Sequence, residues 1–190
     1  MASVGILKGL VMRDWNVVVS VYQEGFGRVF RALRQLAPTE RSDYYNVLIM
    51  KADDPIALLT AIEKKTEEST ALYDAISRVA PATCSFQFHS AEDFVQKAKQ
   101  IIAEWSASLA GRSFHVRLHR RGTKYELGTQ DAERLFDDAV LDGTAKAGIP
   151  GKVSFTDPDA VIAIDTVDDR VGLALWTRED LARHRLLRPD

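Results

Sequence analysis

The stretch DAVIAIDTVDDRVGLALW, residues 159–176, places two apolar, β-branched runs on either side of Asp168 and Asp169. Two aspartates between strand-forming runs suit a two-residue turn, and such a turn joins antiparallel strands. The stretch therefore predicts a hairpin. Upstream, strand-like and helix-like segments alternate. Residues 14–36 read as a strand at 17–22, a glycine turn, and a helix in which Phe26, Val29, Phe30 and Leu33 recur at helical spacing. Residues 42–55 read as a second strand stopped by Asp53, Asp54 and Pro55. Residues 55–81 read as helical with a break near Ser69, and residues 82–88 as a third strand. Interleaved elements that include an antiparallel hairpin predict an α+β fold rather than a doubly wound parallel sheet.

The clearest helix spans residues 90–111. Ser90 with Asp93 resembles a capping box, and Phe94, Val95, Ala98, Ile101, Ile102, Trp105 and Leu109 share one face. Gly111 suits a C-terminal stop. A strand over 112–124 follows, then a helix over 129–142. Thr129 is its expected cap, with Ala132, Leu135, Phe136, Ala139 and Val140 facing inward. A loop and short strand precede the hairpin, and a polar helix at 178–184 closes the chain.

The chain has 190 residues, enough for one full domain or two small ones, and its 46% hydrophobic and 27% charged content is ordinary for a globular protein. Its apolar runs fall short of the ~20 residues of a membrane span. Its start lacks the basic region and long apolar core of a secretory signal. A soluble, cytoplasmic protein is expected. The lone Cys84 excludes an intrachain disulfide and fits a reducing compartment. Net charge is −2 overall but uneven: 0 over residues 1–80, +4 over 81–124 and −6 over 125–190. A local anion site is compatible with that band.

Several chemical motifs come close and fail. GFGRVF, residues 25–30, follows a strand and opens a helix, yet Phe30 stands where a dinucleotide fingerprint needs Gly or Ala. Gly143 and Gly148 have P-loop spacing, but Ile149 and Pro150 replace the lysine and hydroxyl residue. His115 and His119 would lie ~13 Å apart on a strand, too far to share one zinc ion. Cys84 reads as an inert thiol, and the aspartate pairs at 53–54 and 168–169 as turn chemistry. No catalytic residue, metal site or cofactor is expected.

The basic segment RSFHVRLHRRGTK, residues 112–124, contains no acid. Alternation puts Phe114, Val116 and Leu118 on one face and His115, Arg117, His119 and Arg121 on the other. Like charges two residues apart repel, so the row is favourable when a polyanion neutralises it. The competing reading is a solvated face paired with carboxylates, for example those of the acidic helix at 131–142.

The ordered set FHVRLHRRG, GTQDAERLFDDAVLDG and KVSFTDPDAVIAIDTVDDRVGLAL resembles the C-terminal half of a THUMP domain. The matching positions are Phe114, Val116, Arg117, Arg120, Arg121, Gly122, Asp131, Glu133, Arg134, Lys152, Val153, Pro158 and Asp159. Residues 76–88 and the helix after them fit the first half of the domain, and the strands before fit a small ferredoxin-like unit. The resemblance implies an N-terminal ferredoxin-like unit at 1–60 and a THUMP domain with a mixed sheet at 61–190.

It further implies binding of tRNA near the acceptor stem, as in 4-thiouridine synthetase and the adaptor of tRNA cytidine acetylation. Carried over position by position, Arg117, Arg120, Arg121 and Lys124 become phosphate contacts. His119 stands where a lysine is common, and Arg112 and Lys152 are second-tier contacts. Trp176 could stack on a base, with a core role as the alternative. Only fourteen residues follow Trp176. The expectation is therefore a free-standing, non-catalytic RNA binder that presents tRNA to a separate modifying enzyme. A protein-interaction module whose basic strand binds an acidic partner is the alternative.

Overall fold

Val17, Val18, Val19 and Val21 are all buried, so this strand packs on both faces. It is the central β1 (Val17–Val21) of a four-stranded sheet. The computed structural model describes residues 12–122 and 127–189. The expected phosphate contact Lys124 and the chain's start at 1–11 lie outside those residues.

Helix α1 (Phe26–Leu33) buries Val29 and Leu33 against the sheet, and β2 (Thr39–Arg41) and β3 (Val47–Met50) follow. Asp54 accepts the Ile56 and Ala57 amides at the start of α2 (Pro55–Glu67), with Pro55 in its first turn. A short α3 (Thr70–Tyr73), capped by Ser69, leads to β4 (Ile76–Pro81). The strand order β2-β3-β1-β4, antiparallel throughout with helices between, is the expected ferredoxin-like unit.

Two expectations change here. Residues 76–81 are a strand and not the end of a helix. Ile76, Val79 and Ala80 have helical spacing, but the segment pairs with β1 as the last strand of the sheet and is buried on both faces, Arg78 included. The first sheet thus extends to Pro81, and a boundary at residue 60 falls inside α2.

The second sheet begins at β5 (Cys84–Gln87). It continues through α4 (Ala91–Trp105), β6 (Ser113–His119), α5 (Thr129–Lys146) and β7 (Lys152–Val153). The hairpin β8 (Ala160–Val167) and β9 (Arg170–Thr177) and then α6 (Arg178–Arg183) complete it. Its order is β5-β9-β8-β6-β7, with β6 parallel to both neighbours and the other pairs antiparallel. The fold is α+β with one mixed sheet. Asp168, at φ 56°, makes the hairpin turn. Gly128, not Thr129, caps α5. No helix among the described residues is long and apolar enough to cross a membrane.

Phe114, Val116 and Leu118 pack with Phe94, Ala98, Ile102, Phe136 and Val140 under α4 and α5. The opposite face of this sheet meets the first sheet. Ala163, Ala174 and Trp176 share a core with Val17, Val19, Leu59 and Ile62. Trp176 is 5% exposed, so its indole belongs to that core and not to a base-stacking surface. The C-terminal residues close the seam. The Leu186 amide and His184 Nδ1 both meet the Glu63 carboxylate of α2, at 3.1 and 2.8 Å, and the Leu186 carbonyl accepts the Val79 amide of β4.

Candidate nucleic-acid interface

The short β7 pairs β6 only at Ser113 and Phe114. Beyond that point the outer edge of β6 meets helix α5. Asp137 accepts the Val116 amide at 2.9 Å and Glu133 accepts the Leu118 amide at 2.8 Å. The Arg117 guanidinium lies 3.9 Å from the same Glu133, with about a third of its side chain exposed. The acidic helix therefore meets the basic strand at its edge. Burial pushes the Asp137 carboxyl up to about 6, against the pull of the Val116 amide. A carboxyl raised in the folded state stabilises below its unfolded value of 3.8 and loses that contribution as pH rises through 6. A shift of two units corresponds to about 3 kcal/mol. Asp137→Asn, which keeps an acceptor for Val116, should flatten the stability profile between pH 4 and 7. Chemical denaturation at a series of pH values reads this directly; an unchanged profile would place the titration elsewhere.

The polar row of β6 does not face solvent as one surface. His115 is fully buried, with Nδ1 donating to the Ser154 carbonyl at 3.0 Å. The first sheet and the C-terminal residues pack on this face, which alternation alone could not reveal. His119 Nε2 donates to the Pro189 carbonyl at 2.8 Å. Burial, then the nearby Arg78, hold its pKa below the usual imidazole value, so it is a neutral wall rather than a lysine substitute. Arg120 donates to the Leu127 carbonyl at 2.6 Å. Arg112 and Lys152 are exposed and adjacent, joined by a backbone bond of 3.0 Å. They sit at the start of β6, ~23 Å from His119 at ~3.3 Å per residue.

Arg121 leads to the functional candidate. Its guanidinium donates to Asp165 at 2.9 Å and to Ser20 of β1 at 3.0 Å. Asp165 also holds Arg78 of β4 through both carboxylate oxygens. Burial alone would raise the Asp165 carboxyl; the Arg78 charge and hydrogen bonds, then Arg121, outweigh it and keep it low. Two arginines on one carboxylate leave a positive charge. Arg188 adds another, anchored on the Ile76 and Ser77 carbonyls and the Tyr73 hydroxyl. Arg78, Arg121, Arg188, His119 and the hydroxyl residues Ser20 and Ser77 line a cavity of about 260 Å³ between the two sheets. Its charge and its guanidinium and hydroxyl donors suit an oxyanion such as phosphate. A groove of about 940 Å³ beside Trp15, Glu40, Lys51 and Asp168 carries more carboxylates than cations and does not suit one.

Of the expected site residues, the structure brings Arg121 and His119 to this cavity, leaves Arg117 near Glu133 and Arg120 on the Leu127 carbonyl, outside its lining, and separates Arg112 and Lys152. Sequence reasoning missed Arg78 and Arg188. A signal for Arg78 was present: a single charge inside the apolar run ISRVAP.

Residues 88–175 match the family model of the THUMP domain. That segment is a THUMP domain. It takes in nearly the whole second sheet, including the basic strand, the acidic helix and the hairpin. A THUMP domain implies RNA binding, which agrees with the cationic cavity at its border. No curated protein sequence matches the chain significantly. Solved structures do. The Pyrococcus horikoshii protein PH1313 superimposes with a TM-score of 0.57 at 13% identity, over 85% of this chain and 54% of that one. TrmN from Thermus thermophilus gives 0.56 at 15%, over 85% and 44%. A 4-thiouridine synthetase in complex with RNA and ATP gives 0.54 at 13%, over 86% and 42%. These likenesses establish the shared fold. The chain spans about half the length of the solved proteins it matches.

Proposed function

We propose that this chain binds tRNA in the acceptor-stem region, without catalysing a reaction itself, and presents it to a separate modifying enzyme such as a cytidine acetyltransferase. The observation that carries the reading is the arginine-lined cavity where the ferredoxin-like unit meets the THUMP domain. One structural neighbour, a 4-thiouridine synthetase, was solved bound to RNA, which supports the choice of ligand. In this reading a backbone phosphate sits among Arg78, Arg121 and Arg188. Arg117, Arg120 and Lys124 contact the phosphates that follow, and Arg112 and Lys152 form an outlying pair. Recognition is of backbone and shape rather than base sequence.

The test is a titration of the purified chain with bulk tRNA at several salt concentrations, beside an Arg117→Gln, Arg188→Gln variant. Neither residue holds Asp165, so the buried ion pairs survive in the variant. The expected result is a linear log–log salt dependence whose slope falls by about two in the variant. Absence of binding at low salt would favour the other reading, a basic strand that meets protein carboxylates as Arg117 already meets Glu133.

A further inference from the structure

The cationic cavity is one end of a longer line of arginines. Arg188, at its wall, lies over the Tyr73 ring at 5.2 Å, and Arg185 lies over the same ring at 5.3 Å. Tyr73 ends α3, and two residues earlier the Ala71 carbonyl accepts Arg28 of α1 at 2.9 Å. From Arg28 the exposed side of α1 carries Arg31, and Arg34 follows as the helix's C-terminal cap. Arg34 lies 5.4 Å over the Phe30 ring. Arg41 of the edge strand β2 lies 4.9 Å over Phe30 and 5.2 Å over Phe26. The line thus runs from the cavity, along α1, to the far edge of the first sheet.

Among the described residues, no carboxylate comes within 4.0 Å of Arg28, Arg31, Arg34 or Arg41. Glu24 and Asp74 are exposed on neighbouring turns, and Glu67 lies 4.0 Å from Arg185. Like charges three residues apart on a helix destabilise it, so the row is favourable when an anion lies across it. The phenyl rings lie beneath the Arg34 and Arg41 guanidinium groups and hold them by cation–π attraction. Because guanidinium groups already cover these ring faces, bases cannot stack there, and the ligand group that remains is phosphate.

We propose that α1 and β2 carry the RNA backbone onward from the cavity, so that the ferredoxin-like unit grips the stem while the cavity takes the end. This rests on the RNA-binding reading above. Continuity with the cavity favours RNA over an acidic protein, which would need no unbroken line.

The test uses the full chain, with bulk tRNA and a single-stranded RNA tetranucleotide as probes. Arg31→Gln, Arg34→Gln and Arg41→Gln together should weaken tRNA binding about tenfold or more and lower the salt slope by two to three. Binding of the tetranucleotide, which reaches only the cavity, should stay within twofold. Arg31→Gln alone, at a position with no side-chain partner among the described residues, guards against misfolding and should lower the slope by about one. An unchanged slope for the triple variant on tRNA would remove α1 from the path and leave the RNA reading intact. Equal losses on both probes would also overturn the proposal, since the change would then act through the cavity. Wild type that binds no tRNA would sink both readings together. Displacement of tRNA by poly-glutamate as readily as by poly-uridylate would assign the row to an acidic protein instead.

Discussion

Asp165→Ala should cost about 3–5 kcal/mol of stability, the range for breaking a buried ion pair from one side. Asp165 sits on β8 in a run whose every residue is buried. Its side chain is 5% exposed, and the Arg78 side chain it holds is 7% exposed. Removing the carboxylate strands Arg78 in the seam between the sheets, and Arg121 loses Asp165 and keeps Ser20 of its side-chain partners among the described residues. For a domain of this size the midpoint of thermal unfolding should fall by about 10 °C. Arg78→Met combined with Asp165→Leu should recover part of the loss, because no buried charge is then left unmatched. Calorimetry of the three proteins checks this. A fall below about 1 kcal/mol in the single variant would show that water reaches the seam. RNA binding adds a second readout. Asp165→Ala raises the net positive charge, so charge alone predicts tighter binding. If the carboxylate instead sets the cavity's shape, binding weakens.

Gly122→Ala should be the second damaging change. Gly122 closes the Arg120-Arg121-Gly122 run at the end of the basic strand. Its φ is +128°, a region costly for any residue with a side chain. A Cβ there would stand 2.9 Å from the Asp168 Cα and 3.0 Å from its amide nitrogen, both backbone atoms of the hairpin turn. Neither neighbour can give way cheaply, because the Asp168 amide donates to the Arg121 carbonyl and the Arg121 amide to the Thr166 carbonyl. Backbone strain and overpacking together suggest about 3 kcal/mol or more. Denaturant unfolding measures the cost. The displaced Arg121 should also loosen the cavity, so tRNA affinity should drop at a temperature where the variant is still folded. A variant as stable as wild type would mean that the hairpin tip moves freely.

The sequence was most legible where one face of an element decides its burial. Phe114, Val116 and Leu118 alternate into the core as read, and Phe94, Ala98 and Ile102 lie beneath them. The Asp168-Asp169 turn formed as expected, and with it the α+β class. Legibility failed where a second layer covers the other face. The row His115, Arg117, His119, Arg121 looked like one solvated cationic strip. Packing divides it into a histidine buried against Ser154 and Phe155, an arginine near Glu133 of α5, and two residues lining the cavity beside the first sheet. The same cause hid Arg78, because residues 76–81 carry helical spacing while lying buried on both sides. The three-residue β2 left no periodic signal at all. Pairing of Arg78 with Asp165, 87 positions apart in sequence, follows from the docking of two sheets and not from any local pattern.

The carboxylates along β6 also bear on how other chains can associate with this one. An open strand edge offers free amides to any passing strand and is a common route to sheet extension and aggregation. Here the Val116 and Leu118 amides are spent on Asp137 and Glu133 of the chain's own helix. A second copy or an extended peptide that tried to lengthen the sheet at this side would find no donors at those positions and two acidic groups in the way. A partner protein must therefore approach β6 through side chains. Shortening or displacing α5 would open the edge to uncontrolled strand exchange, and the cost would show as self-association before any loss of RNA binding.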